Sequence, residues 1–347
     1  MLIEGVDPFT DARWRDLMGR AGAMLFHTPE WGRVLADTYG FEIRATLATD
    51  ESGEVIGGVP WVQVDGLRSS RLVSLPFSDV CPPLLVDPRA WPPLRDALMA
   101  RGLPITIRTL GSPTVVTDPA FAVSSRARWH GLTLTDGPHK HFDAFAPSVR
   151  RAIRKAIGLG VTVKQVADEV FIPAFMAMHR GVRRHKYGLL AQPDRFIESM
   201  RDQFRAIEGW YPLLALYDGE PIAATIYLRH GDALYYKFNA SRPDALPLRP
   251  NNLLVWEGVR LGCELGCRLL DFGASDDDQP GLVRFKRSFG TDEREIVRLQ
   301  YVPADRDCSI DKAEGELLAE LTGLFTAPGV PDEIAARAGA LLYRYFA

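Results

Sequence analysis

The feature that most limits how this chain can fold is a weak internal duplication. Gly53-Glu54-Val55-Ile56-Gly57-Gly58-Val59 reads as a turn entering a strand, and Gly219-Glu220-Pro221-Ile222-Ala223-Ala224-Thr225 reads the same way, 219 − 53 = 166 residues later. Gly102 closes a helix-like stretch ahead of Leu103-Pro104-Ile105-Thr106-Ile107, and Gly266 does so ahead of Cys267-Arg268-Leu269-Leu270-Asp271, an offset of 266 − 102 = 164. Pro29 and Pro193 precede the helix-like stretches WGRVLADTYGF and DRFIESMRDQF at 193 − 29 = 164. With 30 Gly and 25 Pro in the chain, each match alone could arise by chance, so the weight lies on the shared spacing. A length of 347 residues suits two domains of ordinary size.

Each copy carries the order helix, strand, tight turn, strand, strand, helix, strand. In the second copy LLALY, the Asp218-Gly219 turn, PIAATIYLR, the His230-Gly231-Asp232 turn and ALYYKFN form an antiparallel meander. Residues 251–265 place Leu254, Gly258, Leu261 and Leu265 at helical spacing, with Asn251 or Asn252 expected as the cap and Gly266 as the stop. RLLDFG then returns as a buried strand. A meander followed by a helix and a further strand resembles the GNAT acyltransferase layout. The expectation is an α/β fold (α+β) of two GNAT-like domains in tandem, at 1–135 and 140–303, each a central mixed sheet flanked by helices. GELLAELTGLF and EIAARAGALLYRYF predict a helical tail over 304–347. A partner-binding or membrane-surface contact by that tail stays open, although its charge is mixed and its apolar face ordinary.

Hydrophobic residues make up 46% of the chain and charged residues 24%, enough to give both copies a core. The net charge of −3 means that any phosphate-bearing partner must be gripped by local basic patches. The four cysteines, Cys81, Cys263, Cys267 and Cys308, suit neither a disulfide framework nor zinc, and fit a reducing compartment. The acidic N-terminal stretch is unlike a signal peptide, and no run of about 18 apolar residues occurs. The expectation is a cytoplasmic protein with no transmembrane segment.

SVRRAIRKAIGLGV, HRGVRRHKYGL, ELGCRLLDFGAS and above all GLVRFKRSFGT resemble the second domain of Fem-type tandem GNAT transferases, and HTPEWGRVL and LVSLPFSDVCPPL are similar to the first. The resemblance spans nearly the whole chain. It implies transfer of an aminoacyl group from aminoacyl-tRNA to an amine-bearing acceptor, usually a peptidoglycan precursor, with no metal and no tightly bound cofactor. One departure is that no long heptad run marks the helical hairpin inserted in some Fem proteins.

An aminoacyl ester or acyl thioester is already activated, so such an enzyme must orient the amine, remove its proton and stabilise the oxyanion. No covalent nucleophile is required, and no G-x-S-x-G, H-E-x-x-H or P-loop is found. The Arg/Gln-x-x-Gly-x-Gly/Ala loop that holds the pyrophosphate of acetyl-CoA is also missing, which weakens but leaves open an acyl-CoA or acyl-carrier-protein donor. A non-catalytic binder of a phosphorylated ligand is the remaining alternative.

Phe285-Lys286 matches the Phe-Lys pair near the acyl-transfer centre of Fem-type enzymes. The resemblance implies that Lys286 neutralises the oxyanion or grips the terminal tRNA phosphate while Phe285 stacks on a base; otherwise they are a surface lysine and a core phenylalanine. Arg150 and Arg154, like Arg151 and Lys155, lie four apart on a helix begun by Pro147-Ser148, two basic columns suited to phosphates or to plain solvation. Arg180, Arg183 and Arg184, in a run from His179 to Lys186, could clamp a carboxylate or phosphate. Asp271 ends a strand and suits a base, an amine-orienting group or a structural cap of the following acidic loop. Of Tyr235 and Tyr236, which face opposite ways, Tyr236 is taken with Asn239 as the substrate contact. Asp79, on the Pro-rich loop of the first copy, could bind the acceptor or merely stiffen a connector. Cys81 lacks an identifiable base, Cys263 and Cys267 read as packed thiols, and His27 as structural.

Overall fold

The structure, a computed structural model, describes all 347 residues. Along the chain run β1 (Leu2–Val6), α1 (Ala12–Arg20), α2 (Pro29–Tyr39), β2 (Ile43–Thr49), β3 (Val55–Asp65), β4 (Ser70–Val73), β5 (Leu84–Leu85), α3 (Trp91–Met99), β6 (Ile105–Leu110), α4 (Pro113–Val116) and β7 (Ala122–Thr133). They are followed by α5 (Pro138–Ala144), α6 (Pro147–Gly158), β8 (Thr162–Lys164), α7 (Asp168–Gly181), α8 (Asp194–Arg205), β9 (Trp210–Tyr217), β10 (Glu220–His230), β11 (Ala233–Ser241) and α9 (Pro250–Glu264). The chain ends with β12 (Leu269–Asp276), α10 (Pro280–Arg287), β13 (Asp292–Tyr301), α11 (Cys308–Thr326) and α12 (Asp332–Leu342).

These elements form two compact units, each a mixed sheet flanked by helices. Unit 1 comprises Met1–Ala127, Arg294–Leu321 and Leu341–Ala347; unit 2 comprises Arg128–Glu293 and Thr322–Ala340. Residues 294–301, placed with the second copy on sequence, join unit 1 because β13 pairs antiparallel with β6 from Ile296↔Leu110 to Tyr301↔Ile105. The stretch 304–347 is helical as expected, and its residues are shared between the units.

In unit 1 the strand order is β1-β2-β3-β4-β6-β13, with β5 against β3. The meander β2-β3-β4 leads through α3 to β6, which runs parallel to β4 at Leu72↔Ile105 and Val73↔Thr106. Trp91, Leu94 and Leu98 of α3 bury one sheet face together with Val59, Trp61, Ile105 and Ile107. Beyond Val73 the main chain closes onto β6: Ser74 N donates to Thr106 O at 2.9 Å, Arg108 Nη1 to Ser78 O at 3.0 Å and Cys81 N to Arg108 O at 3.0 Å.

Unit 2 repeats the plan with the order β7-β12-β11-β10-β9-β8, from β7 contributing its residues 128–133. Here β9-β10-β11 is the meander, α9 the crossover and β12 the strand parallel to β11. Leu254, Val255 and Val259 of α9 pack with Tyr227, Leu234, Leu270 and Phe272, and Val149, Ile153 and Ala156 of α6 join the same core. The duplicated landmarks have matching backbones. Gly53 and Gly219 sit at φ 88° and 83°, Gly102 and Gly266 at φ 66° and 67°, left-handed turns that glycine adopts without a Cβ clash. The expected cap of α9 is corrected. The helix begins at Pro250 after Arg249 at φ 61°, with no side-chain cap, because Pro presets the first helical φ and needs no partner for an N–H. Asn251 instead donates to Ser241 Oγ at 3.2 Å.

Candidate active site at the fork of unit 2

β11 and β12 pair at Ala233↔Leu269, Leu234↔Leu270 and Tyr235↔Asp271 and no further, although β11 continues to Ser241 and β12 to Asp276. Two parallel strands that part at their carboxyl ends open a crevice of the kind in which α/β sheets take ligands. In unit 1 the loop after β4 fills the equivalent place; in unit 2 the second prong carries Asp271, Gly273 and Ser275.

On that prong Asp271, buried, accepts from Trp129 Nε1 at 2.9 Å and from Gly273 N at 2.6 Å. The second bond closes a short turn that holds Gly273 at φ 66°. Asp271 thus caps its own turn at Gly273. The kink aims two carbonyls at α10, where Lys286 Nζ donates to Ala274 O at 2.7 Å and Gly273 O at 3.2 Å. Lys286 is 2% exposed, which removes the surface-lysine alternative. Enclosing an ammonium costs several kcal/mol, on the order of the desolvation of one ion, unless strong acceptors surround it. A chain that keeps one here has a place for positive charge beside the crevice. Phe285 is half-buried and leans edge-on against Phe289 with centroids 5.1 Å apart, so part of its ring belongs to the core.

On the first prong Tyr236 is half-buried between Tyr227 and Phe272, at 5.6 and 5.7 Å, and burial pushes its phenol above the usual range. Asn239 Nδ2 reaches Thr225 Oγ1 at 2.9 Å and Ala224 O at 3.2 Å, tying β11 to β10, so its amide donors are engaged within the sheet. Asp79 is half-buried on the loop of unit 1.

Helix α6 buries Val149, Ile153 and Ala156 and turns Arg151, Arg154 and Lys155 to solvent, with Arg150 half-buried. None of these four cations meets a carboxylate, whereas Arg180, Arg205, Arg242, Arg260 and Arg287 all do. Arg154 rests over Phe142 at 5.3 Å, and Arg150 Nε is buried without a partner. The second basic cluster is less available. Arg180 pairs with Asp194, and Arg183 Nε donates to Leu190 O at 3.1 Å. Arg184 is taken up by Asp332 at 2.6 Å and by the carbonyls of Ala327 and Val330 at 2.7 and 2.6 Å. The structure thus gives Arg184 a bracing role where ligand contact was expected. The α7 helix widens into a π-helical turn over Val182–Lys186.

Three residues of the site escape sequence reasoning. Trp129 holds Asp271. His130, fully enclosed, leaves Nε2 without a partner, and burial together with the Lys286 charge lowers its pKa to about 4. Ser275 is buried on the prong with an unpartnered Oγ. Their only sequence signal is polarity inside apolar strands, WHGL and DFGAS. Cys81 is buried, its thiol pushed up by burial, and His27 is bonded to Met24 N at 3.0 Å and Pro82 O at 2.8 Å, a structural role.

His179 is also enclosed, stacked 5.3 Å from Phe175 and bonded to Gln192 Oε1 at 2.8 Å, and burial lowers its pKa from 6.5 to about 4. The neutral ring is the form the fold favours, so its contribution is complete above pH 6.5 and is lost as pH falls through 4. The loss is about 3 kcal/mol at most, at roughly 1.4 kcal/mol per pKa unit. Urea denaturation at pH 7 and pH 4 is expected to show it, and His179→Gln to flatten the dependence. An unchanged slope would refute the assignment.

Residues 145–287, which lie within unit 2, match the family model described as an acetyltransferase (GNAT) domain. Among solved structures the chain is similar to FemX, with a TM-score of 0.67 at 14% identity over 87% of this chain and 97% of that one. It is similar to L-PGS from Bacillus licheniformis, TM-score 0.54, 10% identity, 93% and 99% covered. It also resembles a tandem GNAT protein from the clavulanic acid biosynthesis pathway, TM-score 0.55, 14% identity, 88% and 100% covered. The fold is that of the Fem-like tandem GNAT proteins. Comparison with curated protein sequences finds no match. No helix is long and apolar enough to cross a membrane.

Proposed function

We propose that the protein forms an amide bond by moving an aminoacyl group from aminoacyl-tRNA to an amine, on a peptidoglycan precursor or a biosynthetic small molecule. The observation that carries this reading is the enclosed Lys286 ammonium beside the place where β11 and β12 part. The acceptor amine attacks the ester carbonyl, a C–N bond forms, and the carbonyl oxygen becomes an oxyanion that Lys286 can meet. Collapse breaks the ester C–O bond, the ribose hydroxyl leaves with a proton, and the amine nitrogen gives one up. The preformed charge needs no reorganisation at that moment.

Two further features favour a tRNA donor over CoA. The unpaired cations of α6 suit a phosphate backbone. The segment between β11 and α9 has prolines at 243, 247 and 250, which lack N–H groups, and Arg242 N and Arg249 N already donate to Ile222 O and Leu246 O. Few main-chain donors are left there to cradle a pyrophosphate. An acyl-CoA donor is the second reading, favoured by the acetyltransferase description of the matched domain.

The test is to incubate the protein with total charged tRNA and a cell-wall precursor extract, follow mass gain on the acceptor, and repeat after RNase. RNase should abolish transfer. Persistence of transfer with acetyl-CoA after RNase would establish the second reading.

A further inference from the structure

We propose that His130 is a positioning residue for the acyl-transfer centre, fixing through Thr291 and Glu293 the end of α10 that carries Lys286. The inference rests on the reading of Lys286 given above. Thr291 Oγ1 donates to Lys286 O at 3.2 Å and lies 3.4 Å from His130 Nδ1. A hydroxyl has one proton, and with it directed to Lys286 O the oxygen can only accept from the ring, so the hydrogen resides on Nδ1. The same Nδ1 lies 3.6 Å from Glu293 Oε1. Glu293 in turn grips Arg287, the residue after Lys286, with Nη2 to Oε2 at 2.8 Å, and meets Arg128 Nη1 at 3.4 Å. One ring edge therefore organises both groups from which the end of α10 hangs.

The opposite ring atom, Nε2, is enclosed and has no partner. A proton there would add a cation to a space already facing Lys286 and Arg287 of α10 and Arg128 of β7, with Glu293 the opposing carboxylate. The ring is thereby kept neutral and its tautomer fixed, the condition for a steady Nδ1–H donor. A shift of an ångström at the end of α10 would carry Nζ away from the carbonyls of Gly273 and Ala274 and from the place of the oxyanion. The effect belongs in kcat, because ground-state binding of the donor does not depend on that placement.

The test uses the full chain and the transfer assay with total charged tRNA and cell-wall precursor extract. His130→Asn presents an amide N–H near the Nδ1 position, while His130→Gln presents it near Nε2. The Asn variant should stay within about threefold of the wild-type kcat. The Gln and Ala variants should lose at least tenfold in kcat, with donor KM within twofold and circular dichroism unchanged. Equal losses for Asn and Gln, or none for Gln and Ala while Lys286→Ala is slow, would overturn the positioning role and leave the function of Lys286 standing. If Lys286→Ala turns over normally, it is the functional reading that fails. A readout independent of substrates is the ring-proton titration of His130 by NMR. Lys286→Met should raise its midpoint from about 4 toward 6.5, and an unmoved midpoint would overturn the placement of the neutral ring within the field of Lys286 at the end of α10.

Discussion

Replacing Lys286 by alanine is expected to lower the rate of acyl transfer at least tenfold while the chain still folds. Both halves of this expectation follow from burial. An ammonium that is 2% exposed has given up most of its hydration, so a developing negative charge beside it meets a field that water does not screen. Removing such a stabiliser commonly costs on the order of two to four kcal/mol of barrier. Stability of the alanine variant should fall only modestly, because relief of the ammonium's desolvation offsets the cavity and the donor lost to the two carbonyls. Lys286→Met keeps most of the volume and separates charge from packing. Single-turnover rates and thermal melts of the two variants decide the matter. Unchanged turnover removes Lys286 from the mechanism, and a large loss of stability in both would make it a structural cation.

The second large effect is expected from helix α6. Changing Arg150, Arg151, Arg154 and Lys155 together to glutamine should raise the donor KM by one to two orders of magnitude and leave kcat with saturating donor little altered. Four phosphate contacts on a single strand give a salt slope of about −3 in log affinity, so a fourfold rise in salt should weaken donor binding by roughly 50-fold in the wild type. The variant should lose most of that slope. The helix should remain in place, since Val149, Ile153 and Ala156 on its other face hold it to α9. A donor KM that ignores both salt and these substitutions would assign α6 to plain solvation and turn attention to the CoA reading.

Much of the architecture is legible in the residues because it is local. The turns at Gly219 and Gly231 adopt left-handed φ where the sequence places them, so the meander of unit 2 follows from β-prone runs cut at the right intervals. The helices of the last stretch follow from 3.6-residue periodicity. The cap of α9 is missed because Asn is the commoner cap, yet Pro250 and the left-handed Arg249 perform that task here. The site is legible only in part. Lys286 and Asp271 stand out as polar residues in apolar surroundings, but Trp129 bonds to Asp271 across 142 residues and His130 meets Thr291 across 161. No periodicity reports such pairs. Arg184 and Arg151 look equally available in the chain; Asp332, 148 residues from Arg184, engages one and leaves the other to solvent.

By itself the sequence determined that the chain is a duplicated strand-helix-strand plan with a cationic second copy, because turns, apolar periods and charge spacing act over a few residues. Only the tertiary structure decided that β11 and β12 part in unit 2 while the chain beyond β4 stays bonded to β6 in unit 1, that Lys286 is enclosed, and which cations lack a counter-charge. Burial and pairing depend on residues brought together from far along the chain, and a side chain's charge acquires chemical meaning only when its neighbours exclude water.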